Sequence, residues 1–213
     1  KDEDEGDAAE VPRLEDLEQG TRAGEAWSED WLRVFTDGGV ADPDDDRISL
    51  GGCGIFFGRD HPLNTATPVT GRKLHSYRAE LQAVRLLLTG CRQWQTKLWI
   101  TLDNRAVVDD LNRSIKSGGQ MHKLDDTDIW PAVNDCIRDR ATRDAIRVTW
   151  TKGHATQDDL DQGRSTEEER QRNAETDKLA TDAINRSPGD RVLLKATRQT
   201  KLLTALQQTK LVK

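Results

Sequence analysis

The sequence predicts an α/β fold: a five-stranded mixed sheet flanked by helices. Three β-type segments follow one another early in the chain, joined by short polar turns, and this order favours an antiparallel meander. Two later β-type segments are separated by helical stretches, the arrangement that parallel crossovers need. Acids also stand at the ends of several of these elements, which suggests a site as well as a fold.

The first strand is centred on Leu32-Arg33-Val34-Phe35-Thr36-Asp37-Gly38-Gly39, an apolar run broken by Arg33 and Thr36. It is expected to end on Asp37. The two glycines then either form a turn or leave room for another backbone, a phosphate or a metal, because no Cβ is in the way. Asp42-Pro43-Asp44-Asp45-Asp46 reads as a turn, Ile48 to Phe57 as a second strand with glycines where a sheet could bend, and 59–64 as a hairpin loop. Thr67 to Leu74 is the third strand. Ser76 to Leu88 carries apolar residues at 79, 83, 84, 87 and 88, a helical stripe with Glu80 in its first turn. Lys97 to Leu102 alternates as a fourth strand ending at Asp103, and a helix follows from about Asn104 to Ile115. Residues 116–126 form a basic loop, Thr127 to Arg140 a third helix, and Ala145 to Trp150 a fifth strand leading into Thr151-Lys152-Gly153-His154-Ala155. Ser165 and Glu168 have capping-box spacing, so the last helix starts near there and runs to Arg186. It carries Asp177 and buries Leu179, Ala180, Ala183 and Ile184, and Ser187-Pro188-Gly189 ends it.

Charge divides the 213 residues into a body and two tails. Residues 1–30 hold twelve acids and three bases, an acidic tail or linker in which Trp27, with Trp31, is placed to anchor it. Residues 31–186 form the domain, with an acidic insertion at 156–172, and residues 187–213 are a basic extension with six bases and one acid. A basic edge suits a polyanionic partner. Cys53, Cys91 and Cys136 show no metal-ligand spacing and read as reduced core residues of an intracellular protein, nuclear or cytoplasmic. No apolar run is long enough to cross a membrane as a helix. The first residues, without an initiator Met, suggest a piece of a longer chain.

Four acids sit at element ends: Asp37, Glu80, Asp103 and Asp177. If the first and fourth strands are adjacent and parallel, Asp37 and Asp103 lie side by side at the carboxyl edge of the sheet, where open α/β sheets place ligands. Packed carboxylates repel one another unless cations neutralise them, and Mg²⁺, with Mn²⁺ as substitute, suits an all-oxygen donor set. Two such ions can activate a water and stabilise a leaving oxygen in phosphodiester cleavage. Each acid alone is as well explained by a solvated surface; their company decides.

Six motifs supply that company: Phe35-Thr36-Asp37-Gly38-Gly39, the stretch Tyr77 to Val84, Leu102-Asp103-Asn104, Asp128-Ile129-Trp130, Lys152-Gly153-His154-Ala155, and the stretch Asn173 to Ala180. In this order they resemble the type 1 ribonuclease H family, especially the ribonuclease H domains attached to reverse transcriptases of retroelements. The resemblance covers about residues 31–186. It implies hydrolysis of the RNA strand of an RNA/DNA hybrid by two Mg²⁺ ions held on Asp37, Glu80, Asp103 and Asp177. It further implies that His154, on a mobile loop, assists proton movement or product release, and that a reverse transcriptase is fused or associated. Asn173 would orient a phosphate or the neighbouring carboxylate. Gly38, Ser76, Tyr77 and Asn104 would meet the hybrid, with Tyr77 stacking on sugar or base. Lys73, Arg113, Lys116, His122 and Lys123 would meet DNA phosphates.

The chain departs from the family pattern in the length and acidity of 156–172, in Ser76-Tyr77 where many relatives carry amides, and in a basic loop short of aromatics. Proofreading exonucleases need a second carboxylate where Gly39 stands, which argues against them. Integrases and transposases place a glutamate on a late helix, where this chain has Asp177. A non-catalytic nucleic-acid-binding or tether domain of a retroelement polyprotein is the competing reading, and four clustered acids weigh against it.

Overall fold

The computed structural model describes residues 27–28, 31–45, 48–71, 73–92, 96–123, 125–140 and 143–187. The expectations for the acidic and basic tails therefore fall almost wholly outside the described residues. The strands are β1 (Trp31–Ala41), β2 (Leu50–Phe56), β3 (Thr65–Val69), β4 (Lys97–Leu102) and β5 (Ile146–Trp150). The helices are α1 (Ser76–Gly90), α2 (Arg105–Ser117), α3 (Trp130–Asp139), α4 (Gln157–Asp161) and α5 (Glu167–Arg186). The sheet runs β3-β2-β1-β4-β5, and a two-residue strand, Trp27–Ser28, pairs with the start of β1. The first three strands form the antiparallel meander, and β1–β4 and β4–β5 are parallel, as expected.

One face of the sheet makes the main core. Leu32, Val34, Leu98, Ile100, Leu102 and Val148 meet Leu81, Val84, Leu88, Val107, Leu111, Trp130 and Val133 from α1, α2 and α3. Burying each such side chain is worth roughly 1.5–3 kcal/mol, so this face dominates the stability. The other face is covered by α5 across β1, β2 and β3. Here the glycines of β2 leave room for a helix. A Cβ on Gly54 would come within 2.5 Å of the Thr176 carbonyl, and one on Gly52 would collide with that of Ala180. The bare backbone of β2 lets α5 lie directly on the sheet. The buried stripe of α5 is Arg172, Asn173, Thr176, Ala180 and Ala183; Leu179 and Ile184, expected inside, are only half-buried at its margins.

Several boundaries differ from expectation. β1 does not stop at Asp37 but continues to Ala41, because Asp37, Gly38 and Gly39 stay paired with Gly54, Cys53 and Gly52. β3 is displaced towards the N-terminus, since β2 offers it no partner beyond Val69, and the Arg78 guanidinium holds the following turn through the Thr70 carbonyl. α2 absorbs the first part of the basic loop and ends at Gly118, whose φ of 71° suits glycine. α3 starts only at Trp130, with Pro131 in its first turn, because Asp126 and Asp128 are bound to Arg78 at 2.8 and 2.5 Å. The capping box of α5 is one residue later than expected: Thr166 and Glu169 exchange bonds, while Glu168 pairs with Arg33 and Arg172. The three cysteines are free and buried. Among the described residues no helix is long and apolar enough to cross a membrane.

Candidate active site

The parallel register of β1 and β4 pairs Phe35 with Thr101, so Asp37 and Asp103 each lie two residues beyond a matched pair and come side by side. Glu80 arrives from α1. His75 caps that helix, its Nδ1 accepting the Arg78 N–H at 3.2 Å. α1 can sit this close to β1 because Gly38 has no Cβ; one there would overlap the Ala79–Glu80 peptide. Gly38 thus acts through close approach, and its N–H donates to Asp37 Oδ1 at 2.8 Å.

Asp37, Glu80 and Asp103 offer oxygens that all lie within 4.8 Å of one another. Asp37 and Glu80 are buried, at 7% and 2% exposure, and Asp103 is half-buried. Burial is the main reason that the Asp37 carboxyl is pushed up to about 7; the charges of Asp103 and Asp177 add to it, and the Gly38 N–H opposes it. Glu80 is raised well above the usual range by burial first, then by Asp37 and Asp103. Glu80 Oε2 is fully buried and accepts no hydrogen bond. A buried carboxylate oxygen without a donor, next to two more carboxylates, is the environment that a hard cation would satisfy. Asp177, on α5, is half-buried and stands outside the triad, close enough for its charge to act on Asp37.

The other expected residues divide into two groups. Asn173 Nδ2 donates to Asp103 Oδ2 at 3.3 Å, so of the two roles expected for it the structure shows contact with the carboxylate. Asn104 caps α2 through the Val107 N–H, and its Nδ2 reaches the exposed Ser76 hydroxyl at 3.4 Å. Gly153 packs so close to Asp103 that a Cβ would strike the carboxylate, and this contact brings the exposed His154, with a φ of 49°, to the edge of the site. Lys73 is exposed in the turn before α1.

Tyr77 does not face outward for stacking. Its hydroxyl donates to Asp110 Oδ2 at 2.6 Å, Lys123 Nζ lies 3.6 Å over its ring, and burial with Asp110 raises its pKa. Lys123 and Arg113 both pair with Asp110, at 2.8 and 2.6 Å. Arg113 and Lys116 belong to α2, roughly 15 Å along that helix from Asn104. Lys116 and His122 are exposed.

The 156–172 segment is not a free acidic loop. Asp158 pairs with Arg164, Glu167 with Arg170, and Glu168 and Glu169 with Arg33. Sequence reasoning missed Asp159, although Thr156-Gln157-Asp158-Asp159 carries the same capping spacing that was read further on. It also missed Trp150, which is 40% exposed. The Trp150 Nε1–H donates to the Asp103 carbonyl at 2.8 Å and steadies the turn after β4.

Comparison with known proteins adds a family match and three similar proteins. The family model described as RNase H matches residues 29–185. A ribonuclease H of Schizosaccharomyces pombe is 28% identical over 122 residues, covering 51% of this chain and 41% of that protein, so the match spans less than half of that relative's length. The solution structure of the PFV RNase H domain superposes with a TM-score of 0.53 at 20% identity, over 72% of this chain and 93% of that one. LC9-RNase H1, a type 1 RNase H with the type 2 active-site motif, gives a TM-score of 0.51 at 17% identity, over 82% of this chain and 87% of that one.

Proposed function

Because the chain belongs to the RNase H family, we propose that it hydrolyses the RNA strand of RNA/DNA hybrids as an endonuclease, leaving 3′-hydroxyl and 5′-phosphate ends. The observation that carries this reading is the triad of buried Asp37 and Glu80 with half-buried Asp103, with its unpartnered Glu80 oxygen, at the carboxyl edge of the sheet. Asp37, Glu80 and Asp103, with Asp177 alongside, are the residues that would hold divalent metal, Mg²⁺ or Mn²⁺. Two such ions, when bound, supply an activated water and stabilisation of the leaving oxygen.

The protein's own groups do the rest. Asn173 orients Asp103. The Ser76–Asn104 pair presents a hydroxyl and an amide beside Asp103, suited to a 2′-hydroxyl of the RNA strand. Lys73, Arg113 and Lys116 are exposed cations for the phosphates of the DNA strand; of these, Arg113 already leans on Asp110. His154 assists proton movement or product release. Such contacts read backbone and shape, so cleavage tolerates many sequences. The proposed link to a reverse transcriptase rests on the order of the sequence motifs.

The test is cleavage of a strand-labelled RNA/DNA hybrid with Mg²⁺, beside double-stranded RNA and DNA. Cutting confined to the RNA of the hybrid, abolished by Asp103→Asn, supports the reading. Binding without cutting supports the tether reading instead. An active Asp103→Asn protein removes the site assignment.

A further inference from the structure

The segment between His154 and α5 contains a carboxylate that the proposed chemistry does not use. Asp159, on α4, is 2% exposed. Its Oδ2 accepts both the backbone N–H of Thr156, at 2.8 Å, and the Thr156 hydroxyl, at 2.7 Å. Its Oδ1 receives Arg164 Nε at 2.7 Å and Lys152 Nζ at 3.3 Å. One buried carboxylate therefore grips the chain two residues before His154 and two residues after it. Between these grips, Gly153 lies against Asp103 and His154 takes a φ of 49°, a conformation that most side chains avoid. Such a backbone persists only where its surroundings impose it.

Arg164 anchors the grip in turn. Its N–H donates to the Asp159 carbonyl at 2.8 Å, and its guanidinium also holds Asp158 at 2.7 Å. Two residues later Thr166 caps α5, the helix that carries Asn173 and Asp177. The Asp159 carboxyl is held well below the usual range, first by the Thr156 N–H and hydroxyl and then by Arg164 and Lys152, so it stays ionised and keeps its acceptors at neutral pH.

We propose that Asp159 is a positioning residue for His154: by binding Lys152 and Thr156 together it staples the 152–156 loop against Asp103 and holds the imidazole at the carboxylate edge. This assigns a role to the 156–166 segment, and it rests on the hybrid-nuclease reading for the use made of His154.

Two measurements on the full chain test it. The first needs no activity: hydrogen exchange of the Gly153–Ala155 amides in metal-free protein. Asp159→Ala should exchange at least about 10-fold faster there, with the β1 and β4 amides unchanged. Unchanged exchange in the loop overturns the staple. The second is a double-mutant cycle on hybrid cleavage. Asp159→Ala should lower kcat roughly 10-fold with KM within about 2-fold, and should cost less than about 2-fold once His154→Ala is present. Additive losses, or a His154→Ala protein as active as wild type, overturn action through His154. A wild-type protein that does not cut the hybrid sinks the nuclease reading, while the exchange result still decides whether Asp159 holds the loop.

Discussion

Asp37 shows how burial and neighbouring charge disfavour an ionised carboxylate. Its carboxyl, ordinarily at 3.8, stands at about 7 because burial and the charges of Asp103 and Asp177 disfavour ionisation. A pKa raised on folding stabilises the folded state while the group is protonated. In metal-free protein that contribution is complete below about pH 4 and is lost as pH rises through about 7. Unfolding by urea in chelator should therefore show stability falling over this window. Asp37→Asn should flatten part of the slope and stabilise metal-free protein at pH 7.5 by about 1–3 kcal/mol, while abolishing Mg²⁺-dependent cleavage. Glu80, raised for the same reasons, keeps the remainder of the slope. Mg²⁺ competes with the same protons, so its apparent affinity should climb up to about pH 7. A stability that is flat from pH 4 to 7, or that rises, would contradict this account. The three acids that cluster, Asp37, Glu80 and Asp103, were legible from their flanks. The diversion of Tyr77 to Asp110 was not, because it depends on Asp110, 33 residues away on another helix.

At the scale of elements, the site depends on helices lying unusually close to strands. Gly38 admits α1 and with it Glu80, and Gly52 and Gly54 admit α5 and with it Asp177. A methyl group on Gly54 would press on the Thr176 carbonyl, so Gly54→Ala should destabilise by about 2–4 kcal/mol. By moving α5 it should also weaken Mg²⁺ binding. Gly58 is the control: a Cβ there meets nothing within 4 Å, and Gly58→Ala should leave the urea midpoint within about 0.5 kcal/mol of wild type. Equal effects at the two positions would refute the close-approach argument. The type and order of the long elements were readable from periodicity. Their ends were not, since β1 continues past Asp37 only because β2 pairs with it, and α3 starts late only because Arg78 takes the two acids before it.

For the whole molecule, charge is distributed so that residues 31–186 are close to neutral while 187–213 hold six bases and one acid. Binding of a hybrid should therefore draw much of its sequence-independent affinity from the C-terminal segment. Removing 188–213 should lower hybrid affinity roughly 10-fold at low salt and make the salt dependence shallower. An unchanged salt slope would assign the phosphate contacts to the domain alone. The sequence by itself determined the α/β class, the mixed strand directions, the six ordered motifs and the acids that the structure brings together, because periodicity, loop length and residue type are local properties of the chain. Only the tertiary structure decided the parallel register that brings Asp103 beside Asp37, the packing of α5 on bare β2 backbone, the pairing of the acids in 156–172 and the grip of Asp159 on the His154 loop. The register, the packing of α5 and the pairing of Arg33 with Glu168 and Glu169 join residues distant in sequence, which no local pattern encodes; the Thr156–Asp159 capping spacing is local, but whether Lys152 and Arg164 also reach that carboxylate is decided by the fold.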